Sequence, residues 1–259
     1  MTIETKRVVV TGLGVISPIG NSTEEFRTSL NEGRCGICRI DEETRKDLKV
    51  SVAGVVRDFD PIAMGLNRNE ARRSDRYSQF AMAAAIQAMN QSGLVSGDNI
   101  APERLGVYIG SGIGGLDTFV NQTRLMLEEG ASRVSPLFIP MMIANIAGGN
   151  VAIHFNAQGP CLANVAACAT GTNSIGEAFR AISYGYADAI ITGGAEAPIN
   201  ALALAGFENA KALTMSDDPL KASLPFDARR AGFVSAEGAG IMILEELEHA
   251  RARGAHIIA

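Results

Sequence analysis

Short apolar runs recur along this chain, each separated from the next by a stretch with helical spacing. That alternation limits the fold more than any other feature. Val8-Val-Val-Thr-Gly-Leu13 reads as a buried strand closed by a glycine turn, and residues 105–109, 162–167, 189–192 and 240–244 read as further strands. A helix starts near Asn21-Ser-Thr-Glu-Glu, with small polar caps and acids in its first turn. A stronger one spans residues 75–91, where Phe80, Ala83, Ala84 and Ala88 keep helical spacing and Gly93 sits just past the end. Residues 171–184 and 245–253 read as further helices. Strands joined through helices of this length predict parallel pairing in a layered α/β fold. No low-complexity linker or charged tail divides the 259 residues, so one domain over 1–259 is expected. With 28 glycines and 10 phenylalanines but no tryptophan, helices are expected to lie close to the sheet.

Composition removes several function classes. A formal charge of −5 argues against general nucleic-acid binding. No apolar run reaches the roughly 18 residues of a membrane span. Met1-Thr-Ile-Glu-Thr-Lys-Arg7 enters a strand at once with no signal peptide visible, so a cytoplasmic protein is expected. Cys35 and Cys38 form a C-x-x-C, but zinc would need a second such pair, so two reduced loop cysteines and no metal are expected. Gly12-x-Gly14 is followed by Ser17 where a dinucleotide-binding turn needs its third glycine. Tyr77, Tyr108, Tyr184 and Tyr186 all lack the lysine four residues on that a short-chain dehydrogenase requires. The hydrolase elbow G-x-S-x-G is absent around Ala166-Ala-Cys-Ala-Thr170. No cofactor is expected.

The chemistry concentrates at Cys168. The surrounding pattern is strand, sharp turn, then helix, with a thiol at the turn. A cysteine there faces the positive end of a helix and its free backbone N–H groups, a setting that favours the attacking thiolate. Ala166, Ala167, Ala169 and Gly171 leave room for a substrate. The competing reading is a small buried residue, since free cysteine is among the most buried types.

Ala167-Cys-Ala-Thr-Gly-Thr-Asn173 closely resembles the active-site motif of the β-ketoacyl-acyl-carrier-protein synthases, type II-like members of the thiolase superfamily. Val9-Val-Thr-Gly-Leu-Gly-Val-Ile-Ser-Pro18, Gly110-Ser-Gly-Ile-Gly-Gly-Leu116 and Thr192-Gly-Gly-Ala-Glu196 resemble other stretches of that family. So does Pro225-Phe-Asp-Ala-Arg-Arg-Ala-Gly-Phe-Val-Ser-Ala-Glu-Gly-Ala-Gly240. Ala231 and Ala236 stand where many members carry aspartate and glycine, and Cys35 where serine is frequent; none of these changes removes a catalytic group. The resemblance implies the N-terminal half of a five-layer αβαβα thiolase-like fold that works as a homodimer. It also implies that Cys168 accepts an acyl group from acyl carrier protein, then undergoes decarboxylative condensation with malonyl carrier protein in fatty acid biosynthesis.

The same resemblance assigns further residues. Ile113 matches the gate of the acyl tunnel, and Phe138 and Phe207 match other tunnel positions, Phe138 reaching across the family's dimer interface. Arg68, Arg72, Arg73 and Arg76 cluster at helical spacing, and with Lys211 they form the basic patch an acidic carrier protein requires. The family's two histidines and lysine belong to its second half. His154, His249 and His256 lie outside those motifs and are expected to be structural. The chain stops inside an apolar run that reads as the start of a strand, His256-Ile-Ile-Ala259, which predicts a truncated synthase with an uncovered apolar face and no condensing activity. The alternative is a short paralogue that binds carrier protein or acyl groups without chemistry.

Overall fold

A computed structural model describes residues 5–259. In chain order the strands are β1 (Val8–Ile16), β2 (Ile37–Arg39), β3 (Val52–Gly54), β4 (Leu105–Gly110), β5 (Cys161–Leu162), β6 (Ala189–Glu196) and β7 (Gly238–Glu246). The first five helices are α1 (Thr23–Asn31), α2 (Glu42–Arg45), α3 (Arg68–Arg72), α4 (Arg76–Ser92) and α5 (Leu116–Glu129). They are followed by α6 (Phe138–Met142), α7 (Ile146–His154), α8 (Thr170–Ser183), α9 (Ala201–Asn209) and α10 (Leu247–Ala252). Among the described residues no helix is long and apolar enough to cross a membrane.

The main sheet has the order β1-β7-β6-β4-β5. β4 runs parallel to β5 and β6 as the spacing predicts, but β7 is antiparallel to both β6 and β1. Helical spacers alone do not reveal this. Gly238 pairs with Glu196, so the chain leaves β6, makes a long excursion through α9, and re-enters the sheet at the end where it left. The expected strand over 162–167 is also corrected, because pairing ends at Leu162. Beyond it the backbone swings over the end of β4, and the Ala166 N–H goes to a side chain instead of a neighbouring strand. The helix expected from residue 245 begins at Leu247. Glu245 and Glu246 complete β7, and the Glu246 carboxylate caps α10 by accepting the His249 N–H at 2.7 Å.

α4 and α7 cover one face of the sheet, and α8 packs on the other. The first face holds the large core: Tyr77, Phe80, Ala84 and Ala88 of α4 against Ile109, Ile191 and Ile243. A side chain on Gly12 or Gly14 would collide with the carbonyl oxygen of Ala88 or Ala84, so these glycines serve helix–sheet contact. The α4 end is as predicted, with Gly93 at a left-handed φ of 67°. On the second face Ala178 and Ile182 meet Tyr108, Ile190 and Leu244, while Val8, Val10 and Met242 stay only partly covered. Leu162, Val165, Phe179 and Tyr184 are exposed nearby. The strand expected at 256–259 does not form as a sheet member: these residues bond β1 only at Val10, with Ile258 N–H donating to Val10 O and Val10 N–H to Ala259 O, both at 2.8 Å.

Candidate active site

The turn that carries Cys168 is built from small residues at the end of the sheet. Asn164 O and the side chain of buried Thr170 press on Gly110, the last residue of β4, where a Cβ would clash with both. Gly194 of β6 likewise faces Gly171, the second residue of α8. These glycines let the start of α8 sit directly on the sheet end. The turn is closed by the Ala166 N–H, which donates to Thr170 Oγ1 at 2.8 Å, and by the Ala169 N–H, which donates to Ala166 O at 3.0 Å. To make the bend, Ala167 adopts a φ of 47°, a left-handed conformation that costs a residue with a Cβ about 1–2 kcal/mol. Strain of this kind gathers at functional sites.

Cys168 itself is exposed, against the usual burial of a free cysteine. It stands two residues before Thr170, the first residue of α8, whose first turn has no side-chain cap and so leaves its backbone N–H groups without a side-chain partner. The Cys168 N–H donates no hydrogen bond among the described residues. Cys161, on edge strand β5, differs: although the residue is largely exposed, desolvation of its thiol raises its pKa. Cys35 and Cys38 are also free, Cys38 within β2 and Cys35 beside Pro219 O at 3.7 Å.

The glycine-rich turn after β4 lies beside the Ala167 carbonyl. Glu196, the last residue of β6, fastens it. One carboxylate oxygen accepts from Ser111 Oγ at 2.7 Å and Ile113 N–H at 3.3 Å, and the other accepts from Gly112 N–H at 2.6 Å. On its other flank, Gly115 N–H donates to Met142 O of α6 at 2.9 Å. Cys168, Ile113 and the helix that begins with Phe138 are thereby organised around one turn. The sequence motif at Thr192–Glu196 assigns the Glu196 carboxylate no task, because its partners, one hydroxyl and two backbone N–H groups, lie in a segment distant in sequence.

The remaining assigned residues are more dispersed. Ile113 is 42% exposed. Phe138 lies with its ring centroid 6.3 Å from that of Phe119, and borders a polar cavity of about 280 Å³ that Cys168, Ile113 and Phe207 do not line. Asp75 in that cavity accepts from Thr118 N–H at 2.8 Å and Thr118 Oγ1 at 2.6 Å, and burial raises its pKa against those bonds. Phe207 stacks edge-on against Phe233 at 5.4 Å and packs on Ile40, Val50 and Leu213. Arg68, Arg72 and Arg73 are exposed on and just after α3, and Lys211 is exposed after α9. Arg76 does not join them. Its guanidinium holds the buried Glu237 carboxylate at 2.8 and 3.0 Å, donates to Val56 O and lies 4.7 Å from the Phe80 ring centroid. Among the described residues no histidine is hydrogen-bonded to Cys168: His154 pairs with Glu70 at 2.7 Å and His249 with Glu245 at 2.6 Å.

Comparisons with known proteins agree with this arrangement. The family described as "Beta-ketoacyl synthase, N-terminal domain" matches residues 5–250. The 3-oxoacyl-[acyl-carrier-protein] synthase 2 of Synechocystis sp. is 52% identical over 256 residues, covering 98% of this chain and 61% of the relative. The synthase of the same name from Staphylococcus aureus strain N315 is 48% identical over 259 residues, again 61% of its length. The chain therefore spans about three-fifths of these relatives. A β-ketoacyl synthase crystal structure from Burkholderia phymatum superposes with a TM-score of 0.88 at 32% identity, covering 97% of this chain and 62% of that one. A type II polyketide ketosynthase, solved with its acyl carrier protein, superposes at 0.86 with 32% identity, covering 98% and 61%. Helices on both faces of a mixed sheet, a cysteine turn at the sheet end and the family match over most of the chain lead to one assignment: the chain belongs to the β-ketoacyl synthase family, with the thiolase-like fold of its N-terminal domain.

Proposed function

We propose that this chain supplies the acyl-accepting part of a 3-oxoacyl-[acyl-carrier-protein] synthase of fatty acid biosynthesis, in the cytoplasm. The observation that carries the reading is the exposed Cys168 thiol on a strained turn at the uncapped start of α8. The thiolate attacks the carbonyl carbon of an acyl-carrier thioester. A new C–S bond forms at Cys168, the old one breaks, and the carrier's thiolate leaves. The free Cys168 N–H is the donor this chain offers to the oxyanion. Condensation then requires malonyl carrier protein to lose CO₂ and its carbanion to attack the Cys168 thioester. That step needs donors on the malonyl thioester oxygen, and two of the three described histidines, His154 and His249, are engaged with Glu70 and Glu245 instead.

Arg68, Arg72, Arg73 and Lys211 form the landing site for the acidic carrier, and Ile113, Phe138 and Phe207 shape the path of the acyl chain. A related ketosynthase was solved with an acyl carrier protein, which supports the choice of partner. The exposed Leu162 of edge strand β5 and Val165 just after it, with Phe119 and Ile139 of α5 and α6, suit a homodimer in the complete enzyme. Incubation with acyl- and malonyl-carrier proteins tests the division of labour. The expected result is an acylated chain without condensed product. Sustained release of 3-oxoacyl product would overturn the assignment to acyl acceptance alone, and carrier binding without acyl transfer would favour a non-catalytic binding protein.

A further inference from the structure

Glu196 is partly buried at the end of β6 and spends both carboxylate oxygens on a segment far from it in sequence. It accepts from a hydroxyl and two consecutive backbone N–H groups, Ser111 Oγ, Gly112 N and Ile113 N. Ser111 Oγ in turn accepts the Gly114 N–H at 2.8 Å, so a single carboxylate and a single hydroxyl close the whole turn. The turn has no slack on either flank. A methyl group on Gly112 would stand 2.8 Å from the Glu196 carboxylate and 3.6 Å from Ala167 O, and Gly114 and Gly115 are pressed against the backbone of residues 141–144. The carboxylate therefore fixes where Ile113 projects relative to the residue preceding Cys168.

We propose that Glu196 is a positioning residue that sets acyl-chain selectivity by holding Ile113 in register with Cys168. The proposal rests on the reading of Ile113 as a gate. Charge-assisted bonds to fixed donors hold a segment more firmly than neutral ones, and a side chain displaced by one ångström is enough to alter the reaction of a bound chain. In Glu196→Gln the amide offers an NH₂ where one oxygen received an N–H, so the turn loosens at Gly112 or Ile113 while shape is kept.

The test is alkylation of Cys168 in the 259-residue chain by N-alkyl iodoacetamides of short and long alkyl length, followed by peptide mass spectrometry. Ile113→Phe serves as the reference gate variant. Glu196→Gln is expected to change the long-to-short rate ratio by about tenfold, the reading being the ratio and not the rate with either probe alone. Ser111→Ala, which removes one of the three contacts to Glu196 and the bond from Gly114 N–H, should shift the ratio in the same direction as Glu196→Gln. If Ile113→Phe changes the ratio and Glu196→Gln does not, the positioning role is overturned while the gate stands. If neither changes it, the gate reading fails and this proposal falls with it. Should Glu196→Gln lose its circular dichroism signal, the Ser111→Ala ratio decides: a shift supports the role and an unchanged ratio overturns it.

Discussion

Thr170 Oγ1 accepts the backbone N–H of Ala166 at 2.8 Å, and this bond closes the turn on which Cys168 stands. Thr170 is buried, so its hydroxyl has no solvent substitute. Thr170→Val keeps the shape and leaves the Ala166 N–H unpaired, which should destabilise the chain by about 1–3 kcal/mol. Thr170→Ser should restore most of the loss. Urea denaturation of the three proteins measures this, and an unchanged midpoint in the valine variant would show that the bond does not hold the turn.

Ala167 bears the strain that the bend requires, at a φ of 47°. Glycine relieves it at some entropic cost, so Ala167→Gly should be neutral to about 1 kcal/mol stabilising. Ala167→Val places a branched side chain in a left-handed backbone and should lose about 1–2 kcal/mol. A valine variant as stable as the parent would remove the case for strain at this position.

Glu245 is fully buried on β7. Burial alone would raise its pKa, but bonds from Arg253, His249 and Thr11 outweigh it and hold the carboxyl below the ordinary glutamate value of 4.5. A lowered folded-state pKa means stability that is complete above the unfolded value and lost as pH falls through the folded one. Arg253 holds Glu245 with two bonds of 2.7 Å and also donates to Ser92 O at 2.8 Å, tying α10 to β7 and α4. Arg253→Met strands a buried charge and should cost about 3–5 kcal/mol at pH 7. The penalty should shrink toward pH 4 as Glu245 takes up a proton. Denaturation curves at the two pH values check this, and a pH-independent penalty would contradict it.

Arg68 and Arg72 project from the short helix α3 with no ion-pair partner among the described residues. Reversing both to glutamate should lower the association rate with an acidic carrier protein by about tenfold at low salt. The difference should vanish near 1 M salt, where the screening length is about 3 Å. Stopped-flow binding at two ionic strengths measures it, and an equal rate at low salt would remove the patch.

Much of this architecture is legible because apolar periodicity reports burial. The 75–91 helix, the glycine that ends it and the strands at β4 and β6 emerge within a residue or a few of their observed bounds. Pairing direction is not encoded in such patterns: helical spacers predict a parallel β7, whereas Gly238 lies opposite Glu196 in an antiparallel pair. The run 162–167 is apolar enough for a strand, yet its residues serve a turn over Gly110. Arg76 shares the spacing of its exposed neighbours and differs only in meeting Glu237, a partner 161 residues away. At the site the thiol is visible in sequence, whereas Glu196 acquires meaning only when β6 is laid beside β4.

The most direct measurement locates the acyl group after the chain is mixed with an acyl-carrier protein. Peptide mass spectrometry should find the acyl mass on Cys168, none on Cys35, Cys38 or Cys161, and no transfer in Cys168→Ser. An acyl group on another cysteine, or undiminished transfer to the serine variant's other residues, would contradict Cys168 as the acceptor.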